Sequence, residues 1–245
     1  MKKLILLFVV AFTSVAWAQD KSGVINYTQT VKLQIRLEGV DEAMLQNMPK
    51  TQSSKMNLFF TGTESVYRAP EEETGDVENT DGNVRMVFRR PQNVFYRNYE
   101  TQKKTDLRDF AGKKFLVEGE LPKMPWKIGE ETKTLLGYTC QKATFAETDG
   151  RKRNIVAWFT DAIPNAMGPD SYGGLPGTIL EVDINNGENV ITAQKVEFRP
   201  LKSEEIKLPS GGKKVTDAEF KKIVDDYMKE NGGQGGNFQR VIIRN

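Results

Sequence analysis

The chain holds no histidine and one cysteine, so its candidate chemistry rests on Cys140, on 33 carboxylates and on hydroxyl groups. Without imidazole, a Ser-His-Asp or Cys-His pair, a His-ligated metal and an ordinary histidine general base are excluded. A lone cysteine makes neither an intrachain disulfide nor a cysteine-rich zinc site. Cys140 lies mid-strand in LLGYTCQKATF, with Lys142 on its face by period-two spacing. A nucleophilic thiolate there needs a neighbouring base or cation, and a buried small side chain is the competing reading. Glu181 and Asp183 share one face of a strand, which leaves a carboxylate-dependent hydrolase open. Glycoside hydrolysis needs two carboxylates across a cleft, and spacing along a strand does not supply that. The acidic run 70–83 lacks the ordered spacing of a calcium loop, and no phosphate-binding glycine motif occurs. No catalytic residue, metal ligand or cofactor is therefore assigned.

The densest unusual segment is Ala157 to Val182, AWFTDAIPNAMGPDSYGGLPGTILEV. Its prolines and glycines impose a backbone that neither helix nor strand propensity would choose, and stiff loops of this kind often carry function. Trp158, Tyr172, Gly173, Gly174, Leu175, Pro176 and Gly177 are the candidate rim for a ligand or partner. The same residues also read as a tight corner that sets strand 178–184 in register with its leucine tucked under a sheet.

The elements that must position this rim are mostly strands. Ile25, Tyr27, Val31, Leu33, Ile35 and Leu37 alternate with polar residues, which predicts a long strand with one wet face. Shorter alternations occur at 56–60, 84–88 and 180–184, with further strands expected at 94–99, 104–110, 113–118, 133–147, 153–160 and 189–199. Asp81-Gly82, Asp149-Gly150 and Asn186-Gly187 supply hairpin turn chemistry between such runs. One-sided alternation belongs to antiparallel sheets, so the expected class is mainly β: a large curved antiparallel sheet or incomplete barrel. One C-terminal amphipathic helix is specified over 217–231, with Thr216 and Glu219 as a capping box and Gly232 as its stop. Phe220, Ile223, Val224, Tyr227 and Met228 share its apolar face; the first four are candidates for a lid, although plain cover for a sheet face is the simpler role. A weaker helical turn is expected in 41–48, and 70–83 reads as a solvated loop.

Residues 1–18 have the layout of a secretory signal peptide, with Lys2 and Lys3 before an apolar run and Ala16-Trp17-Ala18 at the cleavage point. The run is short for a membrane span, and no membrane span is expected after cleavage. Without Lys2 and Lys3 the basic residues number 33, matching the 33 acids, so no electrostatic pull toward nucleic acid is expected. Residues 19–231 then form a single domain. Residues 232–245 form a Gly-rich spacer and a terminal strand or tail, expected to pair with a sheet edge or fray.

Taken in order, LLGYTCQKA, AWFT, IPNAMGP and YGGLPGTILEV resemble the GLPGLI family of exported Bacteroidetes proteins over about residues 125–200. The namesake hexapeptide reads Gly174-Leu175-Pro176-Gly177-Thr178-Ile179, with Thr178 where the family usually has Leu. The resemblance implies an exported protein of periplasm or cell surface and brings no catalytic residue, since that family has no established activity. The strand pattern is also similar to lipoprotein-carrier and envelope-sensor domains, whose curved half-barrels clasp an apolar ligand. The expectation is thus a non-catalytic envelope protein holding an apolar ligand or protein partner on a curved sheet. The alternatives are a structural or accessory subunit, using strand 238–244 for β-addition, and the hydrolase named above.

Overall fold

The computed structural model describes residues 22–33, 50–71, 77–81, 84–88, 92–147, 153–163, 165–230 and 242–243. The first half contributes β1 (Gly23–Lys32), β2 (Thr51–Phe60), β3 (Glu64–Arg68), β4 (Val77–Asp81), β5 (Val84–Phe88), β6 (Val94–Asn98), β7 (Lys103–Phe110) and β8 (Lys113–Glu120). The second half contributes β9 (Lys127–Leu135), β10 (Tyr138–Ala146), β11 (Asn154–Thr160), β12 (Thr178–Ile184), β13 (Asn189–Phe198), β14 (Lys213–Thr216), helix α1 (Asp217–Glu230) and β15 (Ile242–Ile243). Twelve strands form one open sheet in the order β14-β8-β7-β6-β3-β2-β1-β13-β12-β11-β10-β9, and β15-β5-β4 form a smaller sheet. The protein is mainly β with a single C-terminal helix among the described residues.

β1 is the keystone. It pairs antiparallel with β2 on one side and β13 on the other, so Gly23 stands opposite both Phe60 and Phe198. The alternation read from the sequence holds here, with Ile25 and Tyr27 buried. The predicted strand was longer, but residues 34–37 lie outside the described residues, as do the helical turn at 41–48, the signal 1–18, Asp149-Gly150 and the spacer 232–236.

Three features depart from the sequence reading, and one expected break between strands is made by unexpected turn residues. The run 133–147 is not one strand: Leu136 and Gly137 both take positive φ and turn the chain, separating β9 from β10. Part of the expected loop 70–83 is strand β4, which pairs with β5 across the Asp81-Gly82 position. Ala111 and Gly112, also at positive φ, join β7 to β8 without an Asn-Gly or Asp-Gly signal. β14 pairs parallel with β8, a single exception to antiparallel pairing, possible because a long connection returns the chain to that edge. At the other predicted turn Asn185, Asn186 and Gly187 all have positive φ, as hairpin chemistry requires.

The main core joins Ile25 and Tyr27 of β1, Leu58 and Phe60 of β2, Tyr67 of β3 and Phe95 of β6 to Leu180, Ile191 and Cys140 of the other half. Ile163 and Met167, from the segment between β11 and β12, seal it. A second cluster packs Ala143, Ala157, Phe159, Val182 and Ile184 against Tyr172 and Leu175. Bulges at Asn26/Tyr27, Gln141/Ala143 and Trp158/Phe159 add local twist and bend the strands.

Candidate functional site

The segment singled out in the sequence begins on β11. Along this strand Ile155, Ala157 and Phe159 are buried in the second cluster, while Trp158 turns to the other side, where it is half-buried against the main core and bordered by charged residues. Register explains its neighbours: Lys142 of β10 and Glu181 of β12 flank Trp158, and Thr192 of β13 follows Glu181. Lys133, opposite Cys140 on β9, reaches across to Glu181 at 2.6 Å, with its ammonium 4.4 Å from the centre of the Trp158 ring. Thr192 donates to the other Glu181 oxygen at 3.3 Å. Lys142 pairs with Glu131 at 2.7 Å and lies 6.0 Å from the indole centre. Strands β9 and β12 are three places apart, about 14 Å in a flat sheet, so the short Lys133–Glu181 bond fits a face that is concave here. The result is an aromatic plate bracketed by cations whose counter-charges are already in place.

On the same side of β10 as Lys142 sits Cys140, fully buried in the main core, with its thiol 3.6 Å from the Tyr138 carbonyl. Burial pushes its pKa up, against the smaller pull of a hydrogen bond and of Lys133. Lys142, the neighbour noted in the sequence, is committed to Glu131. The environment favours the thiol over the thiolate.

The Gly-Gly-Leu-Pro-Gly corner is a structural joint. Leu175 and Tyr172 are buried, Gly174 and Pro176 are exposed, and Gly173 is half-buried. Gly177 has φ 152°, and a Cβ there would stand 2.2 Å from the Thr160 carbonyl oxygen, so only glycine fits. Thr178 donates to the Ile163 and Asn165 carbonyls, each at 3.0 Å, and the Trp126 indole donates to the Gly173 carbonyl at 2.9 Å. Tyr27 donates to the Ile179 carbonyl at 2.6 Å, fixing the corner to the keystone strand. Of the predicted rim, Trp158 packs partly on the main core beside the charged pairs, and Tyr172 and Leu175 go into the second cluster; the structure does not gather all seven on one surface.

The candidate lid residues lie at another end of the sheet. Phe220 packs on Phe110 and Phe115, Tyr227 packs on Phe110, and Ile223 joins Phe220 against Phe115, Val117 and Val215. Val224 is buried, so α1 covers the edge formed by β8 and β14. Asp217 at its start pairs with Lys104 at 2.5 Å.

Sequence reasoning missed a buried charge cluster beside that edge. Asp106 is 1% exposed and is surrounded by Arg97, which donates to it directly, and by Lys104 and Arg108 at 3.8 and 3.5 Å. Its signal was the alternation Lys104-x-Asp106-x-Arg108, which reads as an ordinary wet strand face until β6 brings Arg97 onto Asp106. Two open depressions accompany these features. One of about 450 Å³ is lined by Ser22, Thr61, Gly62, Pro200 and Leu201, and one of about 410 Å³ by Pro125, Lys127, Phe145 and Ile155. Neither includes the candidate rim or lid residues.

Residues 146–181 match a family described as a protein of unknown function, Porph_ging. This stretch carries Trp158, the glycine-rich corner and Glu181. No curated protein matches the chain. Among solved structures, PNGF-II in its P21 crystal form is similar with a TM-score of 0.56 at 15% identity, over 83% of this chain and 33% of that one. PNGF-II in its C2 form is similar with a TM-score of 0.54 at 16% identity, over 83% of this chain and 32% of that one. The chain therefore spans about a third of the length of these structures, and the likeness is one of fold.

Proposed function

We propose that this chain is an exported, non-catalytic GLPGLI-type binding protein of the cell envelope, which holds a protein partner on the sheet face around Trp158. The observation that carries the reading is the half-buried indole, packed on the main core at its base and bordered by the Lys133–Glu181 and Lys142–Glu131 pairs. Tryptophan is enriched among the side chains that anchor interfaces, and the ion pairs around it have the polarity of an interface rim. Of the two cargoes considered, an apolar ligand has less support: Tyr27, Phe60, Tyr67, Leu180 and Ile191 are all at most 2% exposed and fill the central sheet between them.

A hydrolase needs a carboxyl group held protonated near neutral pH. Glu181, one of the carboxylates considered for that role, is bonded to Lys133 at 2.6 Å and accepts from Thr192, an arrangement that favours its charged form over a proton donor. Export follows from the signal-like residues 1–18, and N-terminal sequencing of the protein recovered from an envelope fraction checks it, with Gln19 as the expected first residue.

The decisive comparison uses Trp158→Ala and Phe220→Ala proteins in chemical cross-linking on intact envelopes. A partner cross-linked by wild type and by the Phe220 variant, but lost with Trp158→Ala, supports the reading. Unchanged partners with Trp158→Ala, or an extracted lipid bound in stoichiometric amount, overturn it.

A further inference from the structure

The sheet ends at β9, whose outer edge pairs with no strand among the described residues. Such an edge offers a row of unpaired N–H and C=O groups to any extended chain. Its sequence, KIGEETKTL, has an apolar residue near each end: Ile128 is 49% exposed and Leu136, just beyond the strand, is 44% exposed. These are two of the four large apolar side chains found exposed among the described residues.

We propose that β9 pairs antiparallel with β9 of a second copy, centred on Thr132, so that two twelve-stranded sheets join edge to edge. The symmetry restricts the register. An antiparallel pairing of a strand with its own copy has a two-fold axis normal to the sheet, and side chains opposite one another must share a face, so one residue lies opposite itself. Centring on Glu130, Glu131 or Lys133 sets like charges against each other, which disfavours those registers. Centring on Thr132 sets Glu131 opposite Lys133 twice and brings each Ile128 toward Leu136 at the hairpin turn of the other copy.

The charges on that face are already ordered for this register. Lys133 is tied to Glu181 and Glu131 to Lys142, so the contact extends a row of alternating sign, Glu181–Lys133 of one copy meeting Glu131–Lys142 of the other.

Sedimentation equilibrium of the purified protein is expected to return a dimer at the upper end of a concentration series. Ile128→Lys, at a half-exposed site, is expected to weaken that dimer by about tenfold. Thr132→Cys sets two thiols opposite each other with Cα atoms about 5 Å apart, within disulfide reach, and is expected to form a covalent dimer under mild oxidation. The wild-type protein, whose Cys140 is buried, is the control for that reaction. A monomer at every concentration overturns the proposal. So does a dimer that Ile128→Lys leaves intact and Thr132→Cys does not cross-link, because it would use another surface.

Discussion

At the scale of single residues, backbone constraint and ion pairing decide what each position tolerates. Gly177 and Gly174 are separated by two residues yet differ in kind. Gly174 has φ 79° with open space where a Cβ would go, so Gly174→Ala is expected to cost about 1–2 kcal/mol from left-handed strain. Gly177→Ala adds a collision with the Thr160 carbonyl and is expected to cost at least about 3 kcal/mol, a difference that urea titration of the two variants resolves. Glu205 sets an acid-limb prediction. Two hydrogen bonds from Arg199, at 2.8 and 2.6 Å, with help from the Lys202 N–H, hold its pKa down to about 2 despite opposing desolvation. An unfolded glutamate titrates near ~4.3. The contribution is therefore complete above that pH and is lost as pH falls toward the folded value. Glu205→Gln is expected to flatten the decline of stability between about pH 4.5 and about pH 2, by a modest amount because the pair is partly solvated.

Elements show where local chemistry suffices and where it does not. Helix α1 was legible residue by residue: Thr216 Oγ1 accepts from the Glu219 N–H at 3.3 Å, and the Glu219 carboxylate accepts from the Thr216 N–H at 2.7 Å. Thr216→Ala is expected to cost about 1 kcal/mol in thermal or urea unfolding. Docking was not legible, because an apolar stripe states that a helix must be covered without stating by what. Phe110 and Phe115 supply the cover, at the β8 edge. Strand boundaries failed for a related reason. Leu136 is an apolar residue inside a β-like run, and only its pairing partners, Leu135 opposite Tyr138, turn it into a hairpin tip.

For the whole molecule, one strand joins two halves that are far apart along the chain. β13 lies between β1 and β12, pairing with both, and connects the β2–β8 side of the sheet to the β9–β12 side. Deleting residues 186–245 removes that connection and is expected to abolish cooperative urea unfolding. Among the described residues, deleting 232–245 removes β15 and its pairing with β5, so the unfolding midpoint is expected to stay close to that of the full chain. Because the β1–β13 pairing closes a very long loop, refolding is expected to be slow for a chain of this size, in the range of milliseconds to seconds or longer by stopped-flow fluorescence.

Alternation of apolar residues, turn dipeptides and a capping box were enough for the class of fold, most strands of the sheet and helix α1, since each is a matter of neighbours along the chain. The absence of histidine and the lone cysteine likewise bounded the chemistry without any coordinates. The strand order, the burial of Asp106 among three cations and the placement of Trp158 beside Lys133 and Glu181 required the tertiary structure. These depend on which strands become neighbours, and that is set by long-range pairing and shared burial, for which a local pattern holds no record.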